Sequence, residues 1–374
     1  MQADPGVRLV AMGDVFASRV ETRRKALQAR RPDQMMVDDD HCFVGLDAYR
    51  KVIEASDVVL IANAAKFQPL QMAAAIEAGK HVFVEKPHAI DPAGIRQAAG
   101  ACELARQNKL GVLSGLQSRF HAGIRETMQR IHDGQIGEIV AIEENYLRGP
   151  YGNTTRPEGV RELEIQYGNQ YRFSWLGGDD VPQSLVHNLD RATWALGEAP
   201  PVSCYGLGGR SGAQNLLGDV FDHHSVVYHY ANGVRVYAHC RTALNCYGLV
   251  TSTVLGTKGV ALPMAARITG ENPWHFEGKV PSPTQTEHDE FFKSIRDGEP
   301  LHCGDYMLRS TMVTIIGQLS CYSGKQVTWD AANQSDYFLP PAAEACTWDM
   351  DPPTQPDENG VYPVCAVPGF TTNV

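Results

Sequence analysis

The stretch Ala78-Gly-Lys-His-Val-Phe-Val-Glu-Lys-Pro87 decides how this chain is read. His81 to Val84 is a β-branched and aromatic run bounded by Gly79 and Pro87, the pattern of a buried strand. Such a strand delivers Glu85, Lys86 and Pro87 at its C-terminal end. An open parallel α/β sheet binds ligands just beyond those ends. A Lys and a Glu there can face a small molecule, and Pro87 stiffens the turn that presents them. The same residues also suit an ordinary strand end with a surface ion pair. Outward from this stretch, Asp57 to Ala62 reads as another buried strand with the exit loop Asn63-Ala-Ala-Lys66. Gln68 to Ala78 reads as a helix stopped by Gly79, and Leu46 to Ala55 as a second helix. Asp91-Pro92 starts a helix, with an N-cap Asp and Pro at the first helical position, that runs to about Gln107. Lys109 to Ser114 is a strand, and Gly115 to Phe120, with Gln117, leads out of the unit. Alternation of this kind predicts a parallel α/β sheet over residues 1–120.

Val7 to Asp14 reads as a strand ending in a carboxylate, with an Arg-rich helix from about Ser18 to Arg31. In a Rossmann unit a carboxylate at that place accepts hydrogen bonds from the adenosine ribose. A first strand and a Gly-x-Gly-x-x-Gly turn, which cradles the pyrophosphate, should precede it. Met1 to Gly6 is too short for both, and Gly206 to Gly212 is glycine-rich in the wrong half of the chain. The expectation is therefore an N-terminally incomplete Rossmann-like domain, with truncation favoured over loss of the dinucleotide clamp. Without its central first strand the sheet would carry a gap.

Composition sets outer bounds. A chain of 374 residues is long enough for two domains. Its formal charge of −10 argues against a nucleic-acid partner, because phosphate binding needs a basic face. No run of about eighteen apolar residues points to a membrane span. Nine cysteines without a Cys-x-x-Cys pair fit neither a disulfide framework nor a zinc site. The first residues carry no basic stretch followed by an apolar one. The expected compartment is the cytoplasm for the chain as it stands, and the periplasm if an export signal precedes it.

From His121 the character changes. A helix to Ile131 is followed by the alternating strand Glu138 to Tyr146 and by a Gly-, Pro- and aromatic-rich stretch, 149–178, read as a long loop region. One helix, Val181 to Leu196, precedes strand-like runs at 202–208, 222–231, 233–241 and 247–255. Asn232-Gly233 between two of them is a hairpin signal. Residues 121–337 are thus expected to form an α+β domain with a large, mainly antiparallel open sheet, with late helices near His288–Arg296 and Tyr306–Tyr322. Residues 338–374 read as a Pro-rich extended tail.

The chemistry of this half centres on Gly177-Gly-Asp-Asp-Val-Pro-Gln-Ser-Leu-Val-His187-Asn-Leu-Asp190. His187 and Asp190, three apart, share a helix face with Trp194 one turn on. An imidazole suits general-base work near neutral pH, although a core histidine bonded to Asp190 has the same spacing. In Asp222 to His229, alternation puts His224 and Tyr228 on one face and His223 and His229 on the other. Two faces cannot hold one metal, so no metal site is expected. Tyr146, Arg148, Tyr171 and Arg172 beside the loop region, and Arg241 on a neighbouring strand, offer the phenols and guanidinium forks that suit a hydroxyl-rich ligand.

The wording of both motifs resembles the Gfo/Idh/MocA oxidoreductases. Gly-Lys-His-Val-Phe-Val-Glu-Lys-Pro is similar to the family's first signature, and the Gly-Gly turn before His187 and Asp190 to its second. The segments Asn108-Lys-Leu-Gly-Val, Arg130 to Glu138, Gly218 to His224 and Pro363 to Gly369 resemble one bacterial subgroup, common in planctomycetes and often exported. The resemblance implies that Lys86 lies beside the nicotinamide and the substrate hydroxyl, with the Lys86–Pro87 bond cis. It further implies that His187 removes the hydroxyl proton while Asp190 orients the site. It implies a dinucleotide contacted by Asp14, Asn63, Glu85, Lys86 and Gln117, and a carbohydrate-like substrate contacted by Tyr146, Arg148, Arg172, Gln183, His187, His224 and Arg241. NAD is preferred over NADP because a carboxylate at Asp14 would repel a 2′-phosphate. Two departures stand out: Asn63 to Gln68 replaces the family's Thr-Pro and His, and Gln183 stands where the first Asp of the second motif usually is. The expected activity is NAD(P)-dependent oxidation of a sugar, glycoside or cyclitol hydroxyl by a homo-oligomer, dimer or tetramer. Alternatives are glycoside cleavage by transient oxidation and elimination, or non-catalytic sugar binding.

Overall fold

The computed structural model describes residues 1–152, 155–211 and 217–371. Its N-terminal unit alternates as the sequence predicts, with one further short strand at residues 42–44. Strand β1 (Met12–Asp14) leads to α1 (Ala17–Arg30), β2 (Cys42–Val44) to α2 (Ala48–Ala55), and β3 (Val58–Ile61) to α3 (Gln68–Glu77). Then come β4 (His81–Val84), α4 (Pro92–Gln107) and β5 (Val112–Ser114). The Asp91 side chain caps α4 by accepting from Gly94 N at 2.7 Å. All ladders are parallel, but they fall into two pieces, β1–β2 and β3–β4–β5, with none joining β1 to β3. This is the gap expected of a sheet whose central strand is not in place. Leu60 is 52% exposed between buried Val59 and Ile61, so one face of β3 is uncovered.

Helix α5 (Ala122–His132) and strand β6 (Ile139–Arg148) open the second unit. Residues 149–178 differ from the expected loop region. Among the described residues they hold α6 (Glu162–Gly168), a 3-10 turn Gln170–Arg172, and α7 (Ser174–Gly177). Three of the aromatics there are core: Tyr167, Phe173 and Trp175 are buried together. Their burial, which the local pattern did not show, holds the backbone in short helices. A widened π turn (Val181–Leu185) then runs straight into α8 (Val186–Ala195).

The sheet is completed by β7 (Ser203–Gly209), β8 (His223–His229), β9 (Arg235–Thr242), β10 (Leu249–Gly256), β11 (Gly259–Leu262), β12 (Arg267–Gly270) and β13 (Trp274–His275). After α9 (Pro283–Arg296) and α10 (Gly304–Ser323) come β14 (Val327–Thr328) and α11 (Trp329–Gln334). The spatial order is β13-β12-β11-β10-β6-β9-β8-β7-β14, antiparallel except for the parallel β6–β9 pair. Strand alternation buries one face: Tyr228, Val236, Ala238 and Val254 pack under α8 and α10. A Cβ at Gly317 of α10 would lie 2.1 Å from the Tyr228 hydroxyl, so only glycine allows this helix so close to the sheet. The other face stays open.

The tail is extended but not loose. Leu339 N donates to Asp91 Oδ2 at 3.0 Å, and Tyr362, 2% exposed, packs edge-on against Phe173. Trp348 sits edge-on to Phe16 and Tyr167. Among the described residues no helix is long and apolar enough to cross a membrane.

Candidate active site

The carboxyl end of β4 places Glu85 and Lys86 where the two units meet. The Lys86–Pro87 peptide is cis. Glu85 fits only because residue 115 is glycine: a Cβ there would come within 2.7 Å of Glu85 Oε2. That same oxygen accepts from Lys86 N at 3.1 Å. Burial raises the Glu85 pKa, and the Lys86 ammonium partly offsets it. The Lys86 pKa is lowered, chiefly by burial, against the pull of the Glu85 and Asp180 carboxylates. Its Nζ donates to the Gln183 main-chain carbonyl at 2.7 Å. The π turn supplies that acceptor, since widened turns disturb the regular helix ladder and recur at functional sites. The Gln183 side chain is turned away and donates to Gly177 O at 2.6 Å.

His187 lies one turn further on. Its Nδ1 is buried without a hydrogen-bond partner. Burial first, then the nearby charges of Lys86, Arg191 and His88, holds its pKa well below the ordinary imidazole value. Burial and these cations favour the neutral ring, which leaves a ring nitrogen as an acceptor. Asp190 is placed differently from its expected role. Its fully buried carboxylate accepts from Arg119 Nη2 at 2.8 Å, from Arg119 Nε at 3.0 and 3.1 Å, and from Ser310 Oγ at 2.8 Å. Residues three apart on a helix point to one side but need not meet, and a guanidinium outcompetes an imidazole for a carboxylate.

Beside Lys86 lies a narrow cleft walled by Arg148, Tyr151, Tyr171, Arg172, Asp180 and Thr242. Arg148 Nη2 pairs with Asp180 Oδ1 at 2.5 Å, and its guanidinium stacks 3.4 Å from the Tyr151 ring centroid. The Tyr146 hydroxyl is 3.2 Å from that of Tyr151, and Tyr151 and Tyr171 stand 5.4 Å apart at the rim. Burial, with Arg148 and Arg210 adding like charge, lowers the Arg172 pKa to about 10. His224 sits behind the wall, fully buried, with Nε2 3.3 Å from Asp179 Oδ2. Burial alone would lower its pKa, but the Asp179 carboxylate raises it. Arg241 is a correction. It pairs in register with His223 and Leu147, on the open face, while its neighbour Thr242 lines the cleft. Period-two alternation carries the Arg241 side chain away from the site.

Residues 1–114 match the oxidoreductase family with an NAD-binding Rossmann fold, and residues 124–262 match the Gfo/Idh/MocA C-terminal domain. This chain belongs to the Gfo/Idh/MocA oxidoreductase family. An inositol 2-dehydrogenase of Saccharopolyspora erythraea is 28% identical over 52% of this chain and 47% of its own length. The chain thus matches about half of that protein. An inositol 2-dehydrogenase of Burkholderia cenocepacia is 26% identical over 78% of the chain and 80% of its own length. Among solved structures, the aldose-aldose oxidoreductase of Caulobacter crescentus, crystallised with glycerol, superposes with a TM-score of 0.66. That match is at 17% identity and covers 86% of this chain and 91% of that one. At such identity the likeness shows the fold.

The family's dinucleotide finds fitting groups at two of its three parts. Asp14 ends β1 with Oδ1 accepting from Phe16 N at 2.9 Å, at the strand end where a ribose would sit. At the exit of β3, Asn63 donates to Gln71 Oε1 at 2.8 Å but leaves its own Oδ1 buried and unpartnered, an acceptor a ligand N–H could meet. Gln117, at the exit of β5, is half-buried. Among the described residues no glycine-rich turn stands before β1 to hold the pyrophosphate. Sequence reasoning quoted Asp179 and Asp180 without assigning them a part, and missed Tyr151. The doubled acid after Gly177-Gly178 was the available signal.

Proposed function

We propose that this chain oxidises or reduces a hydroxyl-bearing carbon of a cyclitol or sugar with NAD as hydride partner, Lys86 and His187 handling the hydroxyl proton. The observation that carries the proposal is the buried, unpartnered Nδ1 of His187, one turn on from the Gln183 carbonyl that holds Lys86 Nζ at 2.7 Å. When bound, the nicotinamide supplies the hydride acceptor. His187 takes the proton as the alcohol becomes a carbonyl, and the Lys86 ammonium stabilises negative charge on that oxygen. The Glu85 carboxylate favours the charged form of the lysine against its burial, and the Arg148–Asp180 side of the cleft grips the remaining hydroxyls. The inositol dehydrogenase relatives support a cyclitol. The Asp14 carboxylate favours NAD over NADP. We further propose a dimer or tetramer joined through the open sheet face, where Leu207 is 74% and Tyr205 47% exposed. Light scattering of the purified protein tests it, and a monomer at micromolar concentration would refute it. The test of the chemistry is His187→Ala, followed by NADH formation from myo-inositol, scyllo-inositol and D-glucose across pH. The expected loss is roughly 10²–10⁴-fold in kcat. A variant with normal rate and pH profile would remove His187 from the mechanism.

A further inference from the structure

Asp180 carries an oxygen that the protein itself does not use. The residue is 6% exposed, and its Oδ1 is engaged by Arg148 Nη2 at 2.5 Å and Ser184 Oγ at 2.7 Å. Its Oδ2 is buried with no partner. Arg148 shows the complementary defect, since its Nε is buried and unpartnered too. Both side chains wall the cleft beside Lys86. An unmet acceptor on a charged group is costly to keep buried, and so is an unmet donor.

The arrangement is built rather than loose. Asp179 Oδ1 accepts from Asp180 N at 2.6 Å. Asp179 Oδ2 is held in turn by Phe221 N at 3.0 Å and Tyr322 OH at 2.7 Å, with His224 Nε2 3.3 Å away as an ion-pair neighbour. The Tyr151 ring lies over the Arg148 guanidinium and fixes its plane. Asp180 therefore cannot swing to satisfy Oδ2 elsewhere without breaking an anchored turn.

We propose that Asp180 and Arg148 form a specificity clamp for a neutral vicinal diol, Asp180 Oδ2 accepting from the hydroxyl on the carbon next to the one oxidised, and Arg148 Nε donating to that hydroxyl or its neighbour. This rests on the reading of Lys86 and His187 as the hydride-transfer site. A hydroxyl is both donor and acceptor and so satisfies the two groups together. A carboxylate or phosphate ligand would meet the Asp180 charge, and an amine would meet Arg148 and Lys86. The clamp also places a carboxylate near Lys86 from position 180, while position 183 offers the lysine a main-chain carbonyl.

The experiment is calorimetric titration of the full chain, without dinucleotide, with myo-inositol, scyllo-inositol, D-glucose and the single-deoxy analogues of whichever binds. It is run on wild type, Asp180→Asn and Asp180→Ala. Asparagine keeps an acceptor for Arg148, and thermal melts of both variants check that the fold survives. The expected result is about 10- to 100-fold weaker binding of the polyol by either variant. The affinity gap between the polyol and one particular deoxy analogue should collapse with it, which a merely structural role would not produce. Unchanged affinity in both folded variants, or a gap that persists, overturns the clamp and leaves the oxidoreductase reading standing. Polyol binding that depends on Asp180 in a protein that never reduces NAD overturns that reading and keeps the clamp. If no polyol binds wild type at millimolar concentration, both fall.

Discussion

Replacing Asp190 by asparagine tests whether this residue belongs to the chemistry or to the scaffold. The carboxylate is fully buried and receives three guanidinium contacts from Arg119 and the Ser310 hydroxyl. Arg119 is 9% exposed, sits 4.6 Å from the Trp194 ring centroid and 4.4 Å from that of Tyr306, and has one other anion, Glu198. Glu198 is a third exposed and shared with Arg309 at 2.6 Å. The Asp190→Asn side chain would turn a neutral amide toward the guanidinium and leave a buried cation half compensated. Breaking a buried pair from one side costs about 3–5 kcal/mol. With a urea slope of about 3 kcal/mol/M for a chain of this size, the midpoint should fall by roughly 1–1.7 M. The assay is urea unfolding followed by tryptophan fluorescence. The companion variant Arg119→Met/Asp190→Leu removes both charges and fills the space, and should recover most of the loss, because apolar replacement of a whole buried pair is close to neutral. An Asp190→Asn protein whose midpoint stays within about 0.3 M of wild type, yet which has lost turnover, would refute the scaffold assignment and return Asp190 to the site.

Two further outcomes follow from the buried groups. Glu144 is enclosed between β6 and α8, where burial, opposed by Arg191 and by hydrogen bonds from Ser252 and Asn188, raises its pKa from 4.5 to about 8. The folded state then holds a proton that the unfolded state has released, so this group's contribution is fully present below pH 4.5 and is lost as pH rises toward 8. Glu144→Gln should flatten the dependence of the urea midpoint on pH between about 5 and 9, and equal slopes in the two proteins would contradict the raised value. Gly115→Ala should push the Glu85 carboxylate out of its place, since the new Cβ would lie 2.7 Å from Oε2 and 3.2 Å from the Glu85 Cα. The expected cost is about 1–3 kcal/mol in stability, with weaker quenching of NADH fluorescence on titration. Wild-type values for both would show that the turn tolerates a side chain.

Much of the N-terminal unit was legible because its strands are short apolar runs between unambiguous stops. Asp91-Pro92 opens α4 as expected, and His81–Val84 is the strand that delivers Lys86. The break between the β1–β2 and β3–β4–β5 ladders also falls where the sequence predicts a gap in the sheet. The stretch 149–178 was misread for the opposite reason. Its helices are held by aromatic packing against the tail, and contacts with residues nearly two hundred positions away leave no local periodicity.

The sequence by itself determined which residues stand at strand ends and on one face: Lys86 after its strand, His187 and Asp190 three apart, His224 and Tyr228 on the same side of β8. Those are consequences of covalent spacing and of two fixed periods. Only the tertiary structure decided the partners. Asp190 turns to Arg119, Lys86 to the Gln183 carbonyl, and Arg241 to the open face, while Asp180 and Arg148 are left with one atom each unmet at the cleft. Hydrogen bonding is settled by which donors and acceptors arrive within about 3 Å of one another when water is excluded, and that depends on segments far apart in the chain.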